Sequence, residues 1–289
     1  MNKVVKIFEF LVSVLITFGF IYLFYKVIGF EKFVKFFSSI SLFNILFAFF
    51  LYFTSYILRT IRWRITLPVK NFFKLFKLTV YNTVFNIFLP FRTGEFSFFY
   101  ILKKEGIEIS KSAVSFFTVR IFDAYALLVL FIFSFLLIKS FILAILFLFF
   151  SPIGIFFIAF ASNFIKYEKF KSFKEDVLHK KNIFSLYVLS ILTLFFKFTA
   201  FYLVLPQGLN LSYSLALFAS SAGDLTTILP IHGIAGIGTY EGGFAGILLL
   251  LGINKDTAIL SSIFVHIFIL SASAVLALIT KLLSYILKA

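Results

Sequence analysis

Apolar residues run through this chain in long blocks separated by short basic clusters, and the length of each block limits what it can form. Stretches near 7–28, 40–60, 112–138, 141–164, 183–205 and 257–287 each reach the roughly 20 apolar residues that a bilayer core requires. Lipid offers backbone amides no partner, so all six are expected to be helices. Two further apolar stretches, 76–102 and 211–251, are interrupted by Pro90 and Pro230. Proline removes an amide donor and clashes with the preceding turn, so a helix stops or kinks there. The opening block is followed by no small-residue cleavage site and reads as a retained helix.

Composition makes the class explicit. The chain is 62% hydrophobic and 13% charged, with a mean hydropathy of +1.08, where soluble domains are roughly half apolar and a quarter charged. This is the composition of a polytopic membrane protein. The longest polar interval, 166–182, is too short to bury a core of its own, so chemistry or transport is expected within the bilayer. The absence of cysteine excludes disulfides, thiolate metal sites and cysteine nucleophiles. No pair of His, Asp or Glu has metalloprotease spacing and no G-x-S-x-G elbow occurs, so neither metal nor cofactor is expected. The 48 phenylalanines, spread over every block, read as lipid-facing filler.

Charge placement then sets the topology. Basic residues cluster at Lys3 and Lys6, from Arg59 to Lys77, at Lys103, Lys104 and Lys111, from Lys166 to Lys181, and at Lys281 and Lys288. The positive-inside bias puts these clusters and both termini in the cytoplasm of a cell-membrane protein. The runs Arg59 to Lys77 and Lys166 to Lys181 read as orientation signals touching anionic lipid, and nucleic acid is not expected as a partner. The chain must then leave and re-enter the cytoplasm between Lys77 and Lys103. As helices, 78–90 would rise about 20 Å and 94–103 about 15 Å, too short to cross. A re-entrant hairpin from the cytoplasm satisfies both limits. The same reasoning makes the Pro230 stretch a hairpin entering from outside, although 211–230 is long enough to cross completely.

The two broken stretches resemble each other. Aligning "LPFRTGE" at 89–95 with "LPIHGIAGIGTYE" at 229–241 pairs Pro90 with Pro230, Arg92 with His232 and Glu95 with Glu241, the second copy carrying six extra residues. Downstream the register holds, pairing Gly106 with Gly252 and Arg120 with His266. The expected fold is therefore all-α, with six full spans and two opposed re-entrant helical hairpins. Its halves, 1–139 and 140–289, are related as an inverted-topology repeat, the arrangement by which many transporters build a central site open to either face.

Candidate chemistry follows from that placement. Irregular backbone at membrane depth is tolerated only beside protein or a water-filled cavity, so Pro90, Gly94, Pro230, Gly236 and Gly238 mark a cavity. Outgoing arms starting near Glu95 and Glu241 would aim helix N-termini at the midplane, a geometry suited to an anionic headgroup. A charge at mid-bilayer costs about 2.5–3.5 kcal/mol by insertion scales and normally has a partner. Arg92, Glu95, Arg120, Asp123, His232, Glu241 and His266, with Asp224, could form a ring between the halves. The arginines would hold a lipid phosphate, and the glutamates would carry a coupling proton or order the hairpin tips. Against this stands a structural reading: Arg120 with Asp123 and Arg92 with Glu95 are ion pairs that fix packing, and the histidines merely bridge helices. Lys197, with no counterpart in the other half, could snorkel or face the cavity.

The strings N-x-x-x-P-x-R-x-G-E at Asn86–Glu95, R-x-x-D at Arg120–Asp123 and P-x-x-x-x-x-G-x-G-x-x-E at Pro230–Glu241 resemble the lysylphosphatidylglycerol synthase transmembrane region family of flippase-like membrane proteins, over nearly the whole chain. The resemblance implies movement of an anionic or aminoacylated lipid between leaflets. With the chain ending at Ala289 and leaving no room for the soluble transferase, translocation is expected rather than lysyl transfer. Archaeal relatives linked to dolichol-based glycosylation keep a polyprenyl-phosphate substrate open, together with a lipid-modifying or glycosyl-transfer enzyme as partner. Val119 stands where the family pattern has an acidic residue, and His266 where it often has arginine.

The expected function is lipid translocation, with membrane lipids bearing anionic headgroups as partners. No ATP-binding element is present, so movement would be downhill, ion-coupled or partner-driven. The alternatives are an enzyme or enzyme subunit acting on a polyprenyl-linked sugar with Glu95 or Glu241 as general base, and a non-catalytic scaffold.

Overall fold

The computed structural model describes residues 3–89, 94–161, 180–227 and 233–286. Among them the regular structure is helical: α1 (Lys3–Val27), α2 (Phe30–Phe37), α3 (Leu42–Thr66), α4 (Phe72–Phe88), α5 (Glu95–Lys104), α6 (Ile109–Lys139), α7 (Phe141–Phe150), α8 (Pro152–Ala161), α9 (Lys180–Leu203), α10 (Tyr213–Thr226), α11 (Thr239–Leu250) and α12 (Lys255–Ile286), with 3₁₀ turns at Gln207–Leu209 and Ile234–Gly236. Four helices are long and apolar enough to cross a membrane: α3, α6, α9 over Asn182–Leu203, and α12. A fifth crossing arises if α1 and α2 count as one span bent by 83°, the bend falling at Gly29, whose φ of +75° suits glycine.

Six uninterrupted spans are therefore not found among the described residues. The 141–164 block is divided at Ser151, with proline opening the second piece, where its missing amide costs nothing; residues 162–164 lie outside the described residues. The third helix also continues past 60 to Thr66, so Arg59 and Arg62 sit on a helix rather than in a basic loop.

Each proline-interrupted stretch is a pair of short helices that fold back on one another. In the first, Gly94 lies against α4 so closely that a Cβ would meet the Phe85 carbonyl carbon at 2.2 Å and the Asn86 nitrogen at 2.3 Å. Asn82 Nδ2 donates to the Gly94 carbonyl at 3.3 Å. In the second, α10 and α11 run antiparallel, with Thr226 Oγ1 donating to the Thr239 carbonyl at 3.0 Å and Gly223 admitting the Tyr240 ring. Pro90 and Pro230 lie outside the described residues.

Among the described residues the helices before and after residue 140 follow one order and contact each other reciprocally. Helix α3 packs on α9, its positional equivalent; α6 packs on α10, and α12 packs on α4. Residues at one offset along the chain, Phe98/Phe244, Leu102/Leu248, Ser115/Ser261, Val119/Val265, Ala126/Ala272 and Leu130/Leu276, are buried at both positions. The exits of α5 and α11 are the same as well. Ile107 N donates to the Leu102 carbonyl at 3.1 Å and Ile253 N to the Leu248 carbonyl at 3.0 Å, around Gly106 at φ +78° and Gly252 at φ +79°. Both are glycine C-caps, which need the left-handed region. The core runs along the seam between halves, joining α3, α9 and α12 through residues such as Tyr52, Phe198, Phe201 and Phe268.

Candidate functional site

Polar residues at helical spacing give α3 an inner face: Tyr52, Ser55, Tyr56, Arg59, Arg62, Trp63 and Thr66. Tyr52, Ser55, Tyr56, Arg59 and Trp63 of this stripe, with facing side chains from both halves, line a partly open cavity of about 480 Å³, within the rough 300–1,000 Å³ range of ligand sites. The first half contributes Arg59, Asn82, Thr83, Asn86, Glu95, Arg120 and Asp123 to its walls. The second contributes Lys197, Asp224, Ala235, Gly236, Tyr240 and His266.

The expected ion pairs are only partly those found. Arg120 Nη2 donates to Glu95 Oε1 at 3.1 Å, joining the middle of α6 to the start of α5. Asp123 takes its cation from α3, pairing with Arg62 Nη1, which also donates to Ser190 Oγ at 2.6 Å on α9. The expected Arg120–Asp123 pair is thus replaced by two pairs across helix interfaces. One turn apart on α6, the two side chains point along the same face, and each meets an opposite charge on a neighbouring helix first. Arg92, proposed above as the partner of Glu95, lies outside the described residues, as does His232.

In the second half Glu241 and His266 meet as Glu95 and Arg120 do in the first. His266 Nδ1 lies 2.6 Å from Glu241 Oε1, and both side chains are about nine-tenths or more buried. The other carboxylate oxygen of Glu241 accepts from Gly238 N at 2.7 Å, closing the first turn of α11. His266 Nε2 lies 3.0 Å from the Ala235 carbonyl. The 233–238 turn holds Gly236 and Gly238 at φ +81° and +86°, and a hydroxyl of the first helix braces it, Ile234 N donating to Thr17 Oγ1 at 2.8 Å. Glu241 and Gly238 sit behind the cavity wall, while His266 and Gly236 face it.

Lys197, which sequence alone left open, faces the cavity. Its ammonium is 2.5 Å from Asp224 Oδ2 and 5.5 Å from the Phe201 ring centroid. The residues that sequence reasoning missed are Arg59, Arg62 and Thr83. Arg62 is fully buried, although its place in a basic run resembled a topology signal. The available clue was the continuous polar stripe from Tyr52 to Thr66, which places both arginines on the face that carries the tyrosines. Among the described residues no group of three or more His, Cys, Asp or Glu could hold a metal ion.

A family model, lysylphosphatidylglycerol synthase TM region, matches residues 10–277. The chain belongs to the lysylphosphatidylglycerol synthase TM region family. The match takes in both halves and every cavity-lining residue named above, and it supports a multi-pass membrane protein of lipid metabolism or transport. Comparisons with curated proteins and with solved structures gave no match.

Proposed function

We propose that this member of the lysylphosphatidylglycerol synthase TM region family is a lipid flippase. It would move an anionic or aminoacylated phospholipid, or a polyprenyl-phosphate lipid, across the cell membrane with both termini cytoplasmic. The observation that carries the reading is the charged cavity walled by both halves inside an otherwise apolar helix bundle. A charged headgroup needs polar surroundings to pass a hydrocarbon core, whereas its acyl tails can stay in lipid throughout. In this reading the α4–α5 and α10–α11 pairs are re-entrant hairpins from opposite faces, and the halves form an inverted repeat. Their reciprocal packing and shared offset support that relation, because such repeats let one half rock against the other around a central site.

Roles then follow for the site residues. Arg120 meets headgroup phosphate while Glu95 holds its guanidinium in place. The Glu241–His266 pair fixes the 233–238 turn and carries a proton whose loss would release it. Arg92 and His232, which lie outside the described residues, are proposed to bind the same headgroup. No nucleotide is required; the driving force is the lipid gradient, a coupled ion, or a lipid-modifying or glycosyl-transfer partner that consumes the product.

The test is a headgroup-accessibility assay in proteoliposomes across anionic, aminoacylated and polyprenyl lipids. Wild type should move at least one of them well above empty vesicles, and Glu241→Gln should not. Equal rates in protein-free vesicles for every lipid would remove the proposal.

A further inference from the structure

Four carboxylates stand in or directly behind the cavity wall, and each is matched with a cation: Glu95 with Arg120, Asp123 with Arg62, Asp224 with Lys197, and Glu241 with His266. Arg59 lines the same cavity and belongs to no ion pair among the described residues. Its Nη1 donates to Thr83 Oγ1 at 3.1 Å, its Cζ lies 5.7 Å from the Tyr56 ring centroid, and its Nε is buried with no hydrogen-bond partner. A guanidinium carries five N–H donors and does not lose its charge. The Asp123 carboxylate, itself bonded to Arg62, reaches Arg59 only through space, so the buried Nε–H lacks an acceptor and the fork has no direct counter-charge.

The surroundings are arranged to keep that fork available. Thr83 gives its own hydroxyl proton to the Thr79 carbonyl at 2.8 Å, so its oxygen accepts from Arg59 and turns the guanidinium without neutralising it. On the same helix, Asn86 lines the cavity and its Oδ1 is buried and unpartnered. One turn along α3 from Arg59, Trp63 also faces the cavity. We propose that Arg59 is a second phosphate ligand of this cavity beside Arg120: its guanidinium takes phosphodiester oxygens of an anionic lipid headgroup, and Thr83 sets its orientation. The two-oxygen face of a phosphodiester matches the guanidinium fork in shape and charge. The lipid source of that phosphate rests on the translocation reading, but the seat is detected by binding rather than movement.

Trp63 is the chain's only tryptophan, so it reports on the cavity directly. The full chain is placed in phosphatidylcholine vesicles containing N-dansyl phosphatidylethanolamine, and energy transfer from Trp63 is followed as unlabelled phosphatidylglycerol is added. Wild type should show a saturable component displaced by phosphatidylglycerol. Arg59→Gln should weaken that displacement about tenfold or more, and Arg59→Lys, which keeps the charge and loses the fork, should fall between. Thr83→Val leaves every charge in place and should cost about threefold to fivefold, which keeps a readout should Arg59→Gln fail to fold. Arg64→Gln removes an exposed charge from the same helix and should stay within about twofold.

Wild-type affinity in Arg59→Gln, or an equal loss in Arg64→Gln, would overturn the seat. Displacement by inorganic phosphate at the same concentrations would overturn its assignment to a lipid. Arg59-dependent binding without movement of any lipid would keep the seat and remove translocation. Movement of a lipid that Arg59→Gln leaves unchanged would do the reverse.

Discussion

Glu241 and His266 lie 25 residues apart in the chain and meet at 2.6 Å, and Glu95 and Arg120, also 25 apart, meet at 3.1 Å. In both halves the acid stands in the first turn of a short outgoing helix and its partner sits on the long helix that follows. The first pair uses a guanidinium, whose charge is fixed, whereas the second uses an imidazole, which carries a charge only in one of its protonation states. Replacing Glu241 with Gln should therefore reduce transport about tenfold or more while costing only about 1–3 kcal/mol of stability through the lost charge-assisted bonds. Proteoliposome flux and thermal unfolding, measured on one preparation, separate the two. Unchanged flux would show that the pair is only a brace.

The Arg62–Asp123 pair has a structural signature. Arg62 is fully buried, and its carboxylate and Ser190 partners come from two other helices. Asp123→Asn should destabilise the fold by about 3–5 kcal/mol, because the arginine then stays buried without a counter-charge. The double variant Arg62→Met, Asp123→Leu should recover most of that loss. Unfolding titrations of the single and double variants would show it, and a single variant as stable as wild type would contradict the pairing.

Two glycines of similar sequence setting should respond oppositely to alanine. A Cβ at Gly94 meets α4 backbone at 2.2–2.5 Å, which no rotamer can relieve, whereas one at Gly242 finds nothing within 4 Å. Gly94→Ala should separate α4 from α5 at a cost of about 2 kcal/mol or more. Gly242→Ala, inside a helix, should be neutral or stabilising by up to about 1 kcal/mol. Comparison of their melting temperatures decides the matter.

Opposed hairpins require that the exits of α5 and α11 face opposite compartments. With no native cysteine in the chain, Lys103→Cys and Asn254→Cys can be labelled without background. A membrane-impermeant thiol reagent should reach the two from opposite faces. Labelling of both from one face would rule out the inverted arrangement.

Much of this was legible in the chain itself. Apolar block length and the dearth of charge required membrane helices, since backbone amides in lipid can be satisfied only within a helix. The spacing of Glu95, Gly106 and Arg120 against Glu241, Gly252 and His266 suggested a repeat, and in the fold each acid meets its partner and each glycine caps its helix. Residue spacing also singled out Glu95, Arg120, Asp123 and His266, which do line one cavity. It could not indicate which of them touch, because Arg120 and Asp123 are neighbours on one helix face and still find their partners on α5 and α3. Nor could it separate Arg59 and Arg62 from an orientation signal, since a basic run has the same composition whether it ends in a loop or continues along a buried helix. Those choices belong to the packing of α3 against α9 and of each long helix against the other half's broken arm: a buried charge selects the nearest counter-charge in space, and distance in space is decided by the assembled fold.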